Sequence, residues 1–250
     1  MKWSVGLTSV GSMTAQGSLD IEHQHSDPTG GWLRPAVFGM MDGLVSNAAL
    51  IAGVAGGTRG SDGTSTVLLA GFAGLAAGAF SMAAGEYASV ASESEAAERE
   101  VETERAEIRR NPEGERGELA VMLGEMGLDE PLAQDVSTAI HRDPETAVAV
   151  HSQLEFGITP GDLASPVVAA ISSFVAFSIG AAVPLVPYLL GSVTVLLPLL
   201  LTLVALFACG AVVTRLTNRS WWFGGLRQVL LGAVAFAATY GIGAAIGTQV

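Results

Sequence analysis

Five stretches of this chain, each about 20 residues or longer and almost free of charge, constrain its fold more than any other feature. They cover about 33–57, 66–90, 166–190, 191–214 and 222–247. A helix crosses the hydrocarbon of a bilayer with roughly 20 apolar residues. It also satisfies all of its backbone polar groups within one segment, as a membrane interior demands. The separators have turn chemistry. A Gly/Ser/Thr loop with Arg59, Asp62 and Gly63 lies between the first two stretches, and Pro184, Pro187 and Gly191 break the third from the fourth. Residues 215–222 break the fourth from the fifth, and Trp221-Trp222 suits a membrane–water interface.

The charges are gathered elsewhere. Only 14% of residues are charged, against roughly 25% in soluble domains. The net charge is −12, and residues 93–162 hold 18 of the 24 acids and 6 of the 12 bases, so the rest of the chain sums to zero. From Leu163 to Val250 there is no Asp or Glu. This pattern predicts an all-α, polytopic membrane protein with five transmembrane helices and a helical insertion between the second and third. Residues 1–32 read as a flexible cytoplasmic tail without signal-peptide features, with His23 and His25 solvated in it. Residues 33–90 hold spans one and two, 91–164 the acidic domain, and 165–250 spans three to five. Without a basic stripe to neutralise phosphates, nucleic acid is not an expected partner; the lipid bilayer is. The single cysteine, Cys209, excludes a disulfide framework within the chain.

Arg34, the six arginines of the insertion and Arg215, Arg219 and Arg227 fall on one side of this topology, and only Arg59 on the other. The positive-inside rule places the N-terminus and the acidic domain in the cytoplasm and the C-terminus outside. Spans three and four, rich in Leu, Val and Phe, are expected to face lipid. Spans one and two are richer in Ala and Gly, and Gly71, Gly74, Gly78 and Gly85 recur along span two. Small residues at such spacing allow close helix packing, which predicts protein-facing helices, at a dimer interface or along a pathway. Gly243 and Gly247 predict a similar contact for span five.

Within the insertion, 89–110 reads as a helix stopped by Asn111-Pro112. Further helices are predicted from 113 to 126, from about 130, and from Pro144 to Gly157. Leu119, Met122, Leu123, Met126, Leu128, Leu132, Val136 and Ile140 recur at helical spacing and are the expected core.

Asp42 stands inside span one, where an ionised carboxylate is costly and points to a polar pathway, a cation or a proton. Ser46 is one turn on, and Asn47 is beside it. Met82 and Glu86 share a face of span two. A carboxylate–thioether set of Asp42, Met82 and Glu86 suits a borderline transition metal better than Mg²⁺ or Ca²⁺. In the insertion, Glu104 with Glu107 and Glu115 with Glu118 form two i,i+3 pairs flanking the Asn111-Pro112 break. Folded together, four carboxylates repel unless protonated or bridged by cations, and His151 and Glu155 can join from a third direction. The alternative is a solvated acidic helix with Glu–Arg pairs, which suits Glu98, Glu100, Glu102 and Arg105.

These segments resemble the vacuolar iron transporter family, in its prokaryotic form. The resemblance rests on Phe38-Gly-Met-Met-Asp-Gly-Leu-Val-Ser-Asn47, Ala77-Gly-Ala-Phe-Ser-Met-Ala-Ala-Gly-Glu-Tyr87, the glutamate-rich stretch and Leu154-Glu-Phe-Gly157. It implies a homodimer that exports Fe²⁺ from the cytosol in exchange for protons, with the pathway between the first helices of two subunits. It further implies that Asp42 and Met82 belong to the transport site, and that Glu104, Glu107, Glu115, Glu118 and Glu155 gather divalent metal. Two departures from the family pattern stand out: Pro35 replaces an aspartate that many relatives carry, and His151 with Ser152 replaces methionines that some relatives carry. No prosthetic group is expected; Fe²⁺, or Mn²⁺, Zn²⁺ or Co²⁺, is cargo and bound ion. The expected location is a prokaryotic plasma membrane. The rival readings are a membrane-anchored iron-storing or iron-sensing protein and a ferroxidase. The latter lacks the Glu-x-x-His pairs of di-iron bundles.

Overall fold

The computed structural model describes residues 31–58, 63–216 and 220–247. The tail with His23 and His25, the Arg59–Asp62 loop and Arg219 lie outside the described residues. The described chain is helical and contains no strand. Nine helices follow in order: α1 Leu33–Gly57, α2 Gly63–Arg110, α3 Pro112–Glu125, α4 Glu130–Ile140, α5 Pro144–Glu155, α6 Pro166–Ala182, α7 Val186–Leu189, α8 Leu196–Leu216 and α9 Trp221–Gly247. A 3₁₀ turn, Val183–Leu185, joins α6 to α7. Pro184 and Pro187 therefore distort the end of the third span instead of ending it, and the chain turns at Gly191, whose φ is +91°. Five stretches among the described residues are long and apolar enough to cross a bilayer: Leu33–Gly57, the start of α2, Pro166–Leu189, Leu196–Thr214 and Trp221–Gly247.

Three helix starts share one device. Asn111, Asp143 and Ser165 each accept a backbone N–H with the side chain, at 3.2, 3.1 and 3.4 Å, and each is followed by proline at the first helical position. The cap satisfies an amide that the helix cannot, and proline has no N–H to satisfy. At the other end of α5, Gly157 takes φ +69° and lets the Ile158 amide reach the Ser152 carbonyl at 3.0 Å. This returning turn brings Ile158 onto the core of the insertion.

Helix α1 is the centre of the membrane part and packs against α6, α9, α2 and α8. Its most extensive packing is with α6. A Cβ on Gly39 would stand 2.7 Å from the Ser173 carbonyl, and one on Gly43 would strike the Phe177 carbonyl. Gly180 returns the relation against Met40. Asn47 closes the crossing by donating from its amide to the Ala181 carbonyl at 2.6 Å. Gly243 and Gly247 meet Gly53 and Gly57 of α1, the contact their spacing predicts. Span three packs on both α1 and α2 with one side, while Val168, Ile171, Val175 and Ile179 keep an exposed apolar face on the other, so its Leu/Val/Phe content serves both. Span two buries a smaller share of its surface within the chain than span three, and Gly85 has nothing near it, whereas Gly71, Gly74 and Gly78 face Leu185, Leu50 and Phe177. Composition measures how well a helix tolerates lipid, and cannot exclude protein contact.

Helix α2 has 48 residues, or roughly 72 Å at 1.5 Å per residue, more than twice the hydrocarbon thickness. Its second half is rich in charged residues and packs against α3 and α5. Ser94 Oγ donates to the Ala164 carbonyl at 3.0 Å, and Gly31 lies beside Ala164. These contacts put the start of α1, the start of α6 and the extension of α2 on one side. The core of the extension is Val101 and Ile108 of α2 with Ala147 and Val148 of α5, joined by Ile140 and Ile158. Leu119 is buried as expected, but Met126 and Leu132 are exposed. The expected core on α3 and α4 is therefore only partly met: Leu119 is buried and Ile140 packs on the core, but that core is built by α2 and α5, and the buried residues of α4 are Ala133 and Ser137.

Candidate metal centre and membrane cavity

The extension of α2, with α3 and α5, brings side chains far apart in sequence to one buried point. Glu104 and Glu107 lie on α2, Glu115 and Glu118 on α3, and His151 and Glu155 on α5. Glu104, Glu115 and His151 are all buried, and each offers a ligand atom within 4.8 Å of the other two. His151 Nδ1 is 3.0 Å from Glu155 Oε1 and 3.1 Å from Glu104 Oε1. One ring nitrogen carries one proton. The hydrogen bond goes to Glu155, and Glu104 Oε1 is left buried without one.

An unsatisfied carboxylate in this position is expensive when ionised. Burial is the main reason that Glu104 is pushed up to about 7, with the Glu155 carboxylate next and Glu115 and Glu107 adding to it; His151 opposes. Glu115 is raised by burial and then by Glu118. Glu107 and Glu118 are more exposed and stand at the rim, where Glu107 also pairs loosely with Arg110 at 3.9 Å. All six predicted residues therefore belong to one electrostatic neighbourhood, with Glu104, Glu115 and His151 inside and the others around them. The surface pairs are separate: Arg105 forks onto both oxygens of Glu145 at 3.2 and 2.9 Å and reaches Glu102.

One neighbour went unnoticed in the sequence. His141, at the end of α4, approaches the Ser137 carbonyl through Nδ1 at 2.9 Å, and its ring meets the His151 ring edge to face with centroids 5.3 Å apart. Burial holds its pKa below the usual imidazole range. The available signal was its position directly before the Asp143-Pro144 break, which folds the end of α4 back onto α5.

In the membrane part, Asp42, Ser46, Asn47 and Met82 line a single cavity of about 250 Å³, with Leu50, Gly74, Gly78, Ser81 and Phe177. Ser46 donates its hydroxyl to the Asp42 carbonyl at 2.6 Å, leaving its oxygen lone pairs. Glu86, one turn beyond Met82, is half-buried and does not line this cavity. Ser81 and Phe177 are additions that spacing did not indicate, since Phe177 comes from the third span.

Five helices among the described residues that are long and apolar enough to cross a bilayer, an acid-containing cavity between the first two and a buried carboxylate–imidazole cluster on the extension of α2 mark the class, an integral membrane protein. Residues 33–244 match the VIT family, and the chain belongs to that family. It is 32% identical over 240 residues to vacuolar iron transporter 1 of Eucalyptus grandis, covering 94% of this chain and 95% of that protein. It is 34% identical over 230 residues to the vacuolar iron transporter of Acanthamoeba castellanii, covering 89% and 81%. With vacuolar iron transporter 1 of Arabidopsis thaliana the identity is 30% over 225 residues, covering 89% of each.

Proposed function

We propose that this protein exports Fe²⁺, and also Mn²⁺, from the cytoplasm across the plasma membrane of a prokaryote in exchange for protons, as a homodimer. The observation that carries the reading is the buried meeting of Glu104, Glu115 and His151, in which a carboxylate oxygen has no hydrogen bond. A divalent cation supplies the missing partner and offsets the repulsion among the glutamates. That relatives of this chain are named iron transporters supports Fe²⁺ as the cargo.

The capture domain lies on the cytoplasmic side in this reading, with the N-terminus, and the C-terminus lies outside. Met82 and Glu104 are on the same helix, roughly 33 Å apart along its axis. The domain therefore concentrates cations near the mouth and does not pass them directly to the cavity. There Asp42, Met82 and the oxygens of Ser46 and Asn47 replace part of the hydration shell, with Glu86 one turn towards the cytoplasm. Asp42 faces outward from the single chain, which suits a pathway completed by the first helix of a second subunit. Protonation from the far side weakens carboxylate binding and releases the ion. Pro35, buried in the first turn of α1, binds neither proton nor metal, so Asp42 and Glu86 carry the coupling.

Reconstituted protein in liposomes loaded with an Fe²⁺ indicator tests this. Uptake should be accelerated by a proton gradient and fall at least tenfold in Asp42→Ala and Met82→Ala. Flux unchanged in both variants removes the pathway, and flux indifferent to the gradient removes the antiport.

A further inference from the structure

Two buried imidazole nitrogens beside the glutamate cluster have no partner: Nε2 of His151 and Nε2 of His141. Each belongs to a ring already held through Nδ1, by the Glu155 carboxylate in one case and by the Ser137 carbonyl in the other. An Nδ1–H that donates to oxygen leaves the lone pair on Nε2, and this is how metal-binding histidines are usually oriented. Capping the last carbonyls of α4 accounts for Nδ1 of His141 but gives no reason for a buried, empty Nε2. The two rings are direct neighbours, with centroids 5.3 Å apart and planes nearly perpendicular.

We infer that His141 is a metal ligand of this domain, sharing one divalent first-row transition cation with His151 through the Nε2 atoms of both rings. The inference rests on the capture role proposed for the glutamates and adds a nitrogen-rich position to it. Glu155 then acts on His151 by holding Nδ1, the ring edge at which Glu104 also stands, 3.1 Å away. Two imidazoles favour Zn²⁺ and Co²⁺ over Mn²⁺ more than carboxylates alone do, so His141 sets the selectivity of the domain.

The test uses the full-length protein in detergent, loaded with Zn²⁺ for X-ray absorption and titrated with Zn²⁺ and with Mn²⁺. His141→Asn keeps an amide N–H near the place of Nδ1 and removes Nε2. A His141→Gln variant and the melting temperature of each metal-free protein separate misfolding from ligand loss. The expected result is two imidazoles per bound Zn²⁺ in the unmodified protein and one in His141→Asn, with the Zn²⁺-over-Mn²⁺ affinity ratio falling at least tenfold while the metal-free melting temperature is kept. Zn²⁺ bound with one imidazole or none, and with the same ratio in the variant, overturns the role of His141 and leaves glutamate capture standing. A water bridging the two rings gives that same outcome. Absence of any Zn²⁺ or Mn²⁺ binding in the unmodified protein overturns both.

Discussion

Glu104 Oε1 and His151 Nδ1 stand 3.1 Å apart with both side chains buried, and no hydrogen bond joins them. The His151 proton serves Glu155, so the glutamate closest to the centre of the domain waits for a positive partner. Its ionisation, cation binding and domain stability are consequently linked.

That linkage has a definite sign. Glu104 is raised to about 7 from 4.5. A carboxyl group whose folded pKa is raised contributes stability that is present below about 4.5 and lost as pH rises through about 7. The metal-free protein should therefore melt at a lower temperature at pH 8 than at pH 5, and saturating Zn²⁺ or Mn²⁺ should remove most of that difference. Apparent affinity should fall up to tenfold per pH unit below about 7 for each proton displaced. Scanning fluorimetry with and without metal over pH 5–8 checks both. A metal-free melting temperature that rises with pH would contradict the assignment.

Glu104→Gln separates charge from shape. It keeps the volume and removes the buried ionisable group, so the metal-free domain should gain about 1–2 kcal/mol at pH 8. Metal affinity should drop at least tenfold. Gains in denaturant midpoint together with lost binding in the same sample would show that this residue is held at a cost for the sake of its ligand. A loss of stability instead would make Glu104 a structural group.

How much of this was visible in the chain can be judged from particular residues. The apolar runs gave all five spans, and Asn111-Pro112 and Pro144 marked a helix stop and a helix start, because caps and prolines act locally. The i,i+3 glutamate pairs gave the faces that meet. What spacing did not supply was rank within the cluster: Glu104 and Glu107 look alike in sequence, and only the packing of α5 against α2 buries one and leaves the other at the rim. His141 was missed for the same reason, as its neighbour across the fold is set by tertiary contact. The exposure of Met126 and Leu132 and the central place of α6 likewise depend on which helices are neighbours, which periodicity does not encode.

The α1–α6 crossing should be intolerant of a single methyl group. Gly43→Ala puts a Cβ against the Phe177 carbonyl, a backbone atom that cannot turn aside. It should cost more than about 2 kcal/mol, in line with overpacking. Gly85→Ala, with nothing within 4 Å, should be neutral or stabilising by about 0.5–1 kcal/mol through helix propensity. Thermal unfolding in one detergent compares the two, and equal effects would refute the crossing geometry.

Asn47 divides its two ends between structure and cavity, and the two can be tested apart. Its amide nitrogen holds Ala181 of α6, while its carbonyl oxygen is buried without a hydrogen bond on a residue that lines the cavity with Asp42 and Met82. Asn47→Ala removes both ends, so it should cost about 1–2 kcal/mol and also reduce flux, which does not identify a role. Gly74→Ala is the sharper probe. Its Cβ would come 3.0 Å from Asn47 Oδ1 and meet the end of the exposed Leu50 side chain, which can move. The Asn47–Ala181 bond survives, and stability should change by less than about 1 kcal/mol. If Oδ1 takes part in stripping water from the cation, filling the space in front of it should lower Fe²⁺ flux severalfold in liposomes at nearly unchanged melting temperature. Unchanged flux would take Asn47 off the route of the ion and leave it as a helix clamp.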